Sequence, residues 1–212
     1  MSELKQQYKP IQQTIQFPVS ALDRAMWQHR FEPVPANDVL EFHQLADQLI
    51  EGEIANPEAL ARVQDWTGRA LFLRRKNDKP EALLASIPLT EQGRDALLDG
   101  RFGFANAQRS WVCSLTDPCA ALLSWGMAGL TPSAQAASVR GLLDGWHGFY
   151  NDTPVYARGR SKQGRLLLSR LGFSPCRERE EDSPLYVSSG FPEKIARILT
   201  RPSLRADRGV VA

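Results

Sequence analysis

The sequence carries almost no net charge. Its 26 basic and 24 acidic residues leave a formal +2, so it lacks the global field with which nucleic-acid binders draw in phosphates. It is also short of cysteine: Cys113, Cys119 and Cys176 are odd in number and show neither CxxC nor metal-ligand spacing. That argues against a disulfide scaffold and suits buried thiols in a reducing compartment. No run approaches the roughly 18 uninterrupted apolar residues of a membrane span, and the polar stretch Met1 to Tyr8 has no signal-peptide core. A cytoplasmic protein is expected. His29, His43 and His147 fall on separate predicted elements, so no zinc site is expected either. No fixed-period repeat or low-complexity segment is present.

What remains is an ordinary globular composition. With 42% hydrophobic and 24% charged residues, and five Trp and nine Phe to fill an interior, the 212-residue chain can bury a sizeable core. Length favours one domain with an N-terminal extension. The pattern divides the chain into an N-terminal arm and helices packing on the core (1–66), a core (67–200) and a flexible basic tail (201–212).

Hydrophobic periodicity predicts the elements. The arm has at most a first strand around Thr14 to Phe17. Val39, Phe42, Ala46, Leu49 and Ile50 recur at helical spacing from Asn37 to Ile50, with Asn37 or Asp38 as cap and Gly52 as stop. A second helix opens at Pro57 and carries Leu60, Val63 and Trp66 inward. Arg69 to Arg74 and Ala82 to Ile87 read as a hairpin joined through Lys76 to Lys79. Thr90 caps a helix stopped by Gly100, and Ser110 to Leu115 is strand-like.

Ala120 to Ala128 is the best buried strand, and a helix capped by Thr131 or Ser133 follows it with Val139, Leu142, Leu143, Trp146 and Tyr150 on its apolar face. Then come a strand (Pro154 to Arg158), a helix (Lys162 to Leu171, with Leu167, Leu168 and Leu171 inward), a strand pair around Cys176 and Leu185 to Ser188, and a last helix from Pro192 through Leu199. Such alternation predicts an α/β fold with a mixed central sheet flanked by helices.

The stretch Tyr156 to Phe173, a strand feeding a helix that ends in Leu171, Gly172 and Phe173, resembles the GNAT superfamily of N-acyltransferases. The likeness in element order extends over about residues 69 to 188. It implies a GNAT-like sheet whose fourth and fifth strands splay apart around the pantetheine arm of acetyl-CoA or a longer acyl-CoA. Trp125, Met127, Ala128 and Gly129 would then border the arm, with Thr131, Ser133 and Ala134 at a phosphate-holding helix start. The family usually has Gln or Arg, two residues, Gly, one residue and then Gly or Ala at this turn; here Pro132 removes one backbone donor.

Many members also carry a Tyr, as acid to the departing thiolate, where this chain has Leu168. Tyr156 or Ser161 is the nearest substitute. Arg158, Arg160, Lys162 and Arg165 form a basic cluster that either meets phosphates or is solvated surface, and Glu81 and Asp117 are the available carboxylates.

The resemblance implies transfer of an acyl group from acyl-CoA to an amine, on a small molecule or a protein, by direct attack. The runner-up is a non-catalytic GNAT-like protein that binds a partner protein or small ligand. A nucleic-acid-binding regulator, drawing on Arg197, Arg201, Arg205 and Arg208, ranks last.

Overall fold

The structure, a computed structural model, describes residues 19–52, 54–114, 117, 119–150, 152–176, 184–192 and 195. The expected strand at Thr14 to Phe17, the basic tail and, apart from Pro192 and Ile195, the last helix lie outside these residues.

Helix α1 (Val19–Gln28) and strand β1 (Phe31–Pro33) come first. Then a 3-10 turn at Ala36–Asp38 leads into α2 (Val39–Leu49). The expected cap is absent: neither Asn37 nor Asp38 closes the first turn with its side chain, and the carboxylates of Asp38 and Glu41 instead pair with Arg75 at 2.7 and 2.5 Å. Nor does Gly52 end this helix. Ile50 has already turned to extended backbone (ψ 124°), and Gly52, at φ +94°, lies in the turn beyond. Helix α3 (Pro57–Thr67) begins as expected, with the Asn56 side chain accepting from the Ala59 N–H at 2.8 Å and proline at the first helical position.

Strands β2 (Leu71–Lys76) and β3 (Lys79–Leu89) form the hairpin. Its two turn residues, Asn77 and Asp78, sit at φ +52° and +60°, a left-handed pair that Asn and Asp tolerate and that matches the twist of the strands. Helix α4 (Glu91–Leu98) starts on Thr90, whose hydroxyl accepts from the Gly93 N–H.

Ser110 to Leu115 is not the expected strand. Arg109–Trp111 is a 3-10 turn, and Val112 makes one isolated bridge to Leu89; Leu115 lies outside the described residues. Packing against α4 decides this: the Trp111 carbonyl sits 1.9 Å from where a Cβ on Gly93 would be. Trp111, Val112 and Cys113 are all buried by this packing.

The remaining elements follow the expected order: β4 (Ala121–Gly129), α5 (Pro132–Phe149), β5 (Val155–Arg158), α6 (Lys162–Arg170), β6 (Ser174–Pro175) and β7 (Leu185–Ser188). The seven strands make one mixed sheet in the order β1-β2-β3-β4-β5-β7-β6, in which β4 and β5 are parallel neighbours and all other pairs are antiparallel. This is the GNAT-like arrangement that the resemblance implies.

Two cores, one on each face, follow from strand alternation. Leu83, Leu123 and Tyr156 face a core with Phe42, Leu60 and Val63 of α2 and α3. Leu84, Leu122 and Ala157 face another with Leu22 and Met26 of α1, Leu142 and Trp146 of α5, and Leu168 of α6. Among the described residues, no helix is long and apolar enough to cross a membrane.

Candidate functional site at the parting of β4 and β5

The parallel pairing of β4 and β5 has three rungs, Leu122 with Val155, Leu123 with Tyr156 and Ser124 with Ala157, and then it stops. Strand β4 runs on to Gly129, paired only with β3. A bulge lies where the pairing ends. Ser86 faces Ser124 and Ala85 faces Gly126, leaving Trp125 as the extra residue. A bulge bends its strand and sharpens the local twist, so β4 turns away from β5 here.

The bulge also resets which edge each peptide group faces. The Leu122 N–H points towards β5, donating to the Pro154 carbonyl, and that of Leu130 points towards β3, donating to Glu81. Alternation with one inserted residue therefore aims the N–H groups of Met127 and Gly129 at the side that β5 has left.

Both connections after the parting strands lead directly into helices. At the start of α5 the Thr131 hydroxyl accepts from the Ala134 N–H at 3.2 Å, Pro132 fills the first helical position and Ser133 is exposed. Gly129 is needed for closeness, since a Cβ there would stand 2.4 Å from the Gln135 nitrogen and 2.5 Å from the Ala134 carbonyl carbon. The buried Ser138 hydroxyl donates to the Ala128 carbonyl at 3.0 Å and ties the helix to the strand. At the start of α6 the Ser161 hydroxyl accepts from the Gly164 N–H at 3.0 Å. Neither helix has an acidic residue in its first turn. Two positive helix ends thus follow the parallel strands where these diverge, an arrangement suited to an anion.

The expected cofactor-side residues, Trp125, Met127, Ala128, Gly129, Thr131, Ser133 and Ala134, form one continuous stretch along this edge and helix start. Of the two expected acids, Tyr156 lies on β5 at the base of the opening, buried in the core on the α2 and α3 face. Ser161 caps α6. Within the basic cluster, Arg165 donates to the carbonyls of Gly159 and Arg160, and Arg160 reaches across to the Glu51 carbonyl at 3.2 Å.

Both available carboxylates have partners. Glu81 pairs with Arg74 at 2.8 Å. Asp117 accepts from the N–H and hydroxyl of Ser114, and these bonds hold its carboxyl below the usual range. A hydrogen bond with Cys119, together with burial, pushes the Cys113 thiol far above its usual range and favours its neutral form. Among the described residues, no cluster of three or more His, Cys, Asp or Glu could hold a metal ion.

No family model and no curated protein matches the chain. Among solved structures it is similar to the diaminobutyrate acetyltransferase EctA of Paenibacillus lautus, in complex with its substrate and coenzyme A, at 13% identity and TM-score 0.48 over 76% of this chain and 95% of that one. It is similar to Naa50 of Arabidopsis thaliana, in complex with a bisubstrate analogue, at 12% identity and TM-score 0.47 over 76% and 97%. A GNAT-like decarboxylase, GphF, in complex with isobutyryl-CoA, is similar at 14% identity and TM-score 0.48 over 76% and 99%. Likeness at this level says nothing of chemistry.

Sequence reasoning missed the bulge and what surrounds it. Because the inserted residue shifts the alternation, Trp125 and Gly126 both face the α2 side. There Ile50 closes over Gly126, with its Cδ1 2.8 Å from where a Cβ would be, and Phe104 meets the Trp125 ring edge-on at 4.9 Å between centroids. The signal that could have found it was Gly126 itself: a glycine inside a buried strand marks a bulge or a close approach.

Proposed function

We propose that the protein is an acyl-CoA-dependent acyltransferase that passes an acyl group directly to an amine. The observation that carries this reading is the β4 edge left open beyond Ser124 and Ala157, which runs straight into the start of α5. An extended pantetheine arm adds to that edge as a short strand would. The pyrophosphate lies at Thr131 to Ala134, where Pro132 supplies no N–H and the donors are the remaining first-turn amides and two hydroxyls. The Met127 N–H faces the thioester carbonyl and stabilises the negative charge that grows on its oxygen. The amine nitrogen attacks the carbonyl carbon, the C–N bond forms as the C–S bond breaks, the thiolate takes a proton from Tyr156 or Ser161, and the proton shed by the amine nitrogen passes through water to restore that donor.

A second reading, a ligand-binding protein without chemistry, is favoured by one observation. Leu168, where many GNAT members place the acid Tyr, is only 4% exposed and belongs to the core on the face of α1, α5 and α6.

Acetyl-CoA is expected to raise the melting temperature, because a ligand that binds only the folded state stabilises it by mass action. Ser133→Glu is expected to weaken this response about tenfold in ligand concentration. The new carboxylate repels phosphates, yet at a helix start it favours the fold by about 0.3–1 kcal/mol, so loss of response is not loss of structure. No shift with acetyl-CoA on the order of millimolar would overturn the reading.

A further inference from the structure

With its phosphates at the start of α5, the acyl-CoA enters the opening from the side on which α5 and α6 pack and lies along the β4 edge, which leaves its thioester carbon open to the face of α2 and α3. The acceptor must then reach the thioester carbon from that face. That face is an apolar wall. The bulge turns Trp125 and Gly126 towards it together, Ile50 lies over Gly126, and Phe104 buttresses the Trp125 ring. Ile54 packs against the same core. Trp125 is only partly buried, as are Ile50, Ile54 and Gly126 beside it. Across the rim, the Arg160 guanidinium donates to the Glu51 carbonyl and fills the space beside Gly52, tying the segment after α2 to the segment after β5.

We infer that the acceptor is a small primary amine bearing an aliphatic or aromatic group, which lies against Trp125 while its nitrogen meets the carbonyl beside Met127. The inference rests on the acyltransferase reading. Its physical basis is that a partly exposed indole gains by losing water to an apolar partner, whereas a short polar amine leaves it wet. Binding energy from a group remote from the reacting nitrogen then also helps to orient that nitrogen.

The test is acyl transfer from acetyl-CoA to phenylalaninamide, leucinamide and glycinamide, each read as kcat/KM, alongside the thermal shift with acetyl-CoA. Phenylalaninamide and leucinamide are expected to exceed glycinamide by about tenfold or more. Trp125→Ala is expected to collapse that ratio, and Trp125→Phe, which keeps an aromatic wall and puts the fold at less risk, to preserve it. Equal rates for the three amines, or a ratio that survives Trp125→Ala, would overturn the inference and leave the acyltransferase reading in place. Acetyl-CoA binding without transfer to any of the three would overturn the inference, and no acetyl-CoA binding would overturn both.

Discussion

Replacing Tyr156 by Phe is expected to lower turnover by roughly 10²-fold while leaving acetyl-CoA affinity nearly unchanged, since general acid help acts in the transition state and contributes little to ground-state binding. The position suits a clean measurement. Tyr156 pairs with Leu123 on one side and Val187 on the other, and its ring belongs to the core on the α2 and α3 face. Phe keeps that shape and removes only the hydroxyl, so the sheet should hold.

The rival donor must be tested differently because it already has a structural task. Ser161→Ala removes the cap of α6 and is expected to cost about 1 kcal/mol of stability whatever its part in the chemistry. Ser161→Asn keeps a capping oxygen, adds no charge at the helix start and removes the hydroxyl proton. A rate lost in Ser161→Asn but kept in Tyr156→Phe would assign the proton to Ser161. Unchanged rates in both would place the acid elsewhere, and the two site assignments would fall together.

How far the sequence was legible varies with the physics that sets each element. The caps at Thr90 and Thr131 are local, each a side-chain oxygen accepting from an amide three residues on, and so they are legible directly; Asn56 and Ser161 cap in the same way, although neither is among the caps expected from the sequence. The parallel pairing of β4 with β5 was legible for a similar reason: a strand, an 18-residue helix and a second apolar strand leave few other ways to bury three apolar faces.

What failed was decided by partners distant in sequence. Asn37 or Asp38 is the cap the sequence predicts, but Arg75 takes the Asp38 carboxylate from across the fold. Ser110 to Leu115 has the pattern of a strand, but the Trp111 carbonyl packs on Gly93 and the segment enters through the 3-10 turn Arg109–Trp111. In the candidate site the stretch Trp125 to Ala134 was legible as one unit, whereas the wall facing it was not. Ile50 and Phe104 reach the bulge from segments about 75 and 20 residues away in the chain, and nothing in their own neighbourhoods points there.

Gly129→Ala is expected to be the more damaging of two identical substitutions bracketing α5. The new Cβ would stand 2.4 Å from the Gln135 nitrogen, 2.5 Å from the Ala134 carbonyl carbon and 2.9 Å from the Ala134 Cβ. Two of these atoms are backbone and no flexible side-chain end can yield. The helix cannot simply slide away either, because the Ser138 hydroxyl holds it to the Ala128 carbonyl and Trp146 anchors its far turns in the core.

Overpacking of this kind costs about 1–3 kcal/mol, and for a domain of this size each kcal/mol lowers the melting temperature by about 2–4 °C. The start of α5 is also expected to move off the end of β4, with loss of the stabilisation by acetyl-CoA. Gly148→Ala, near the exposed end of the same helix with nothing within 4 Å of its Cβ, is expected to stabilise the protein by up to about 1 kcal/mol, because alanine leaves the unfolded chain less freedom to lose. Thermal melts of the two variants with and without acetyl-CoA separate the contributions. Gly129→Ala as stable as the parent would refute the close approach of strand and helix. A destabilised Gly129→Ala that kept the full acetyl-CoA response would show that the phosphates bind somewhere other than the start of α5.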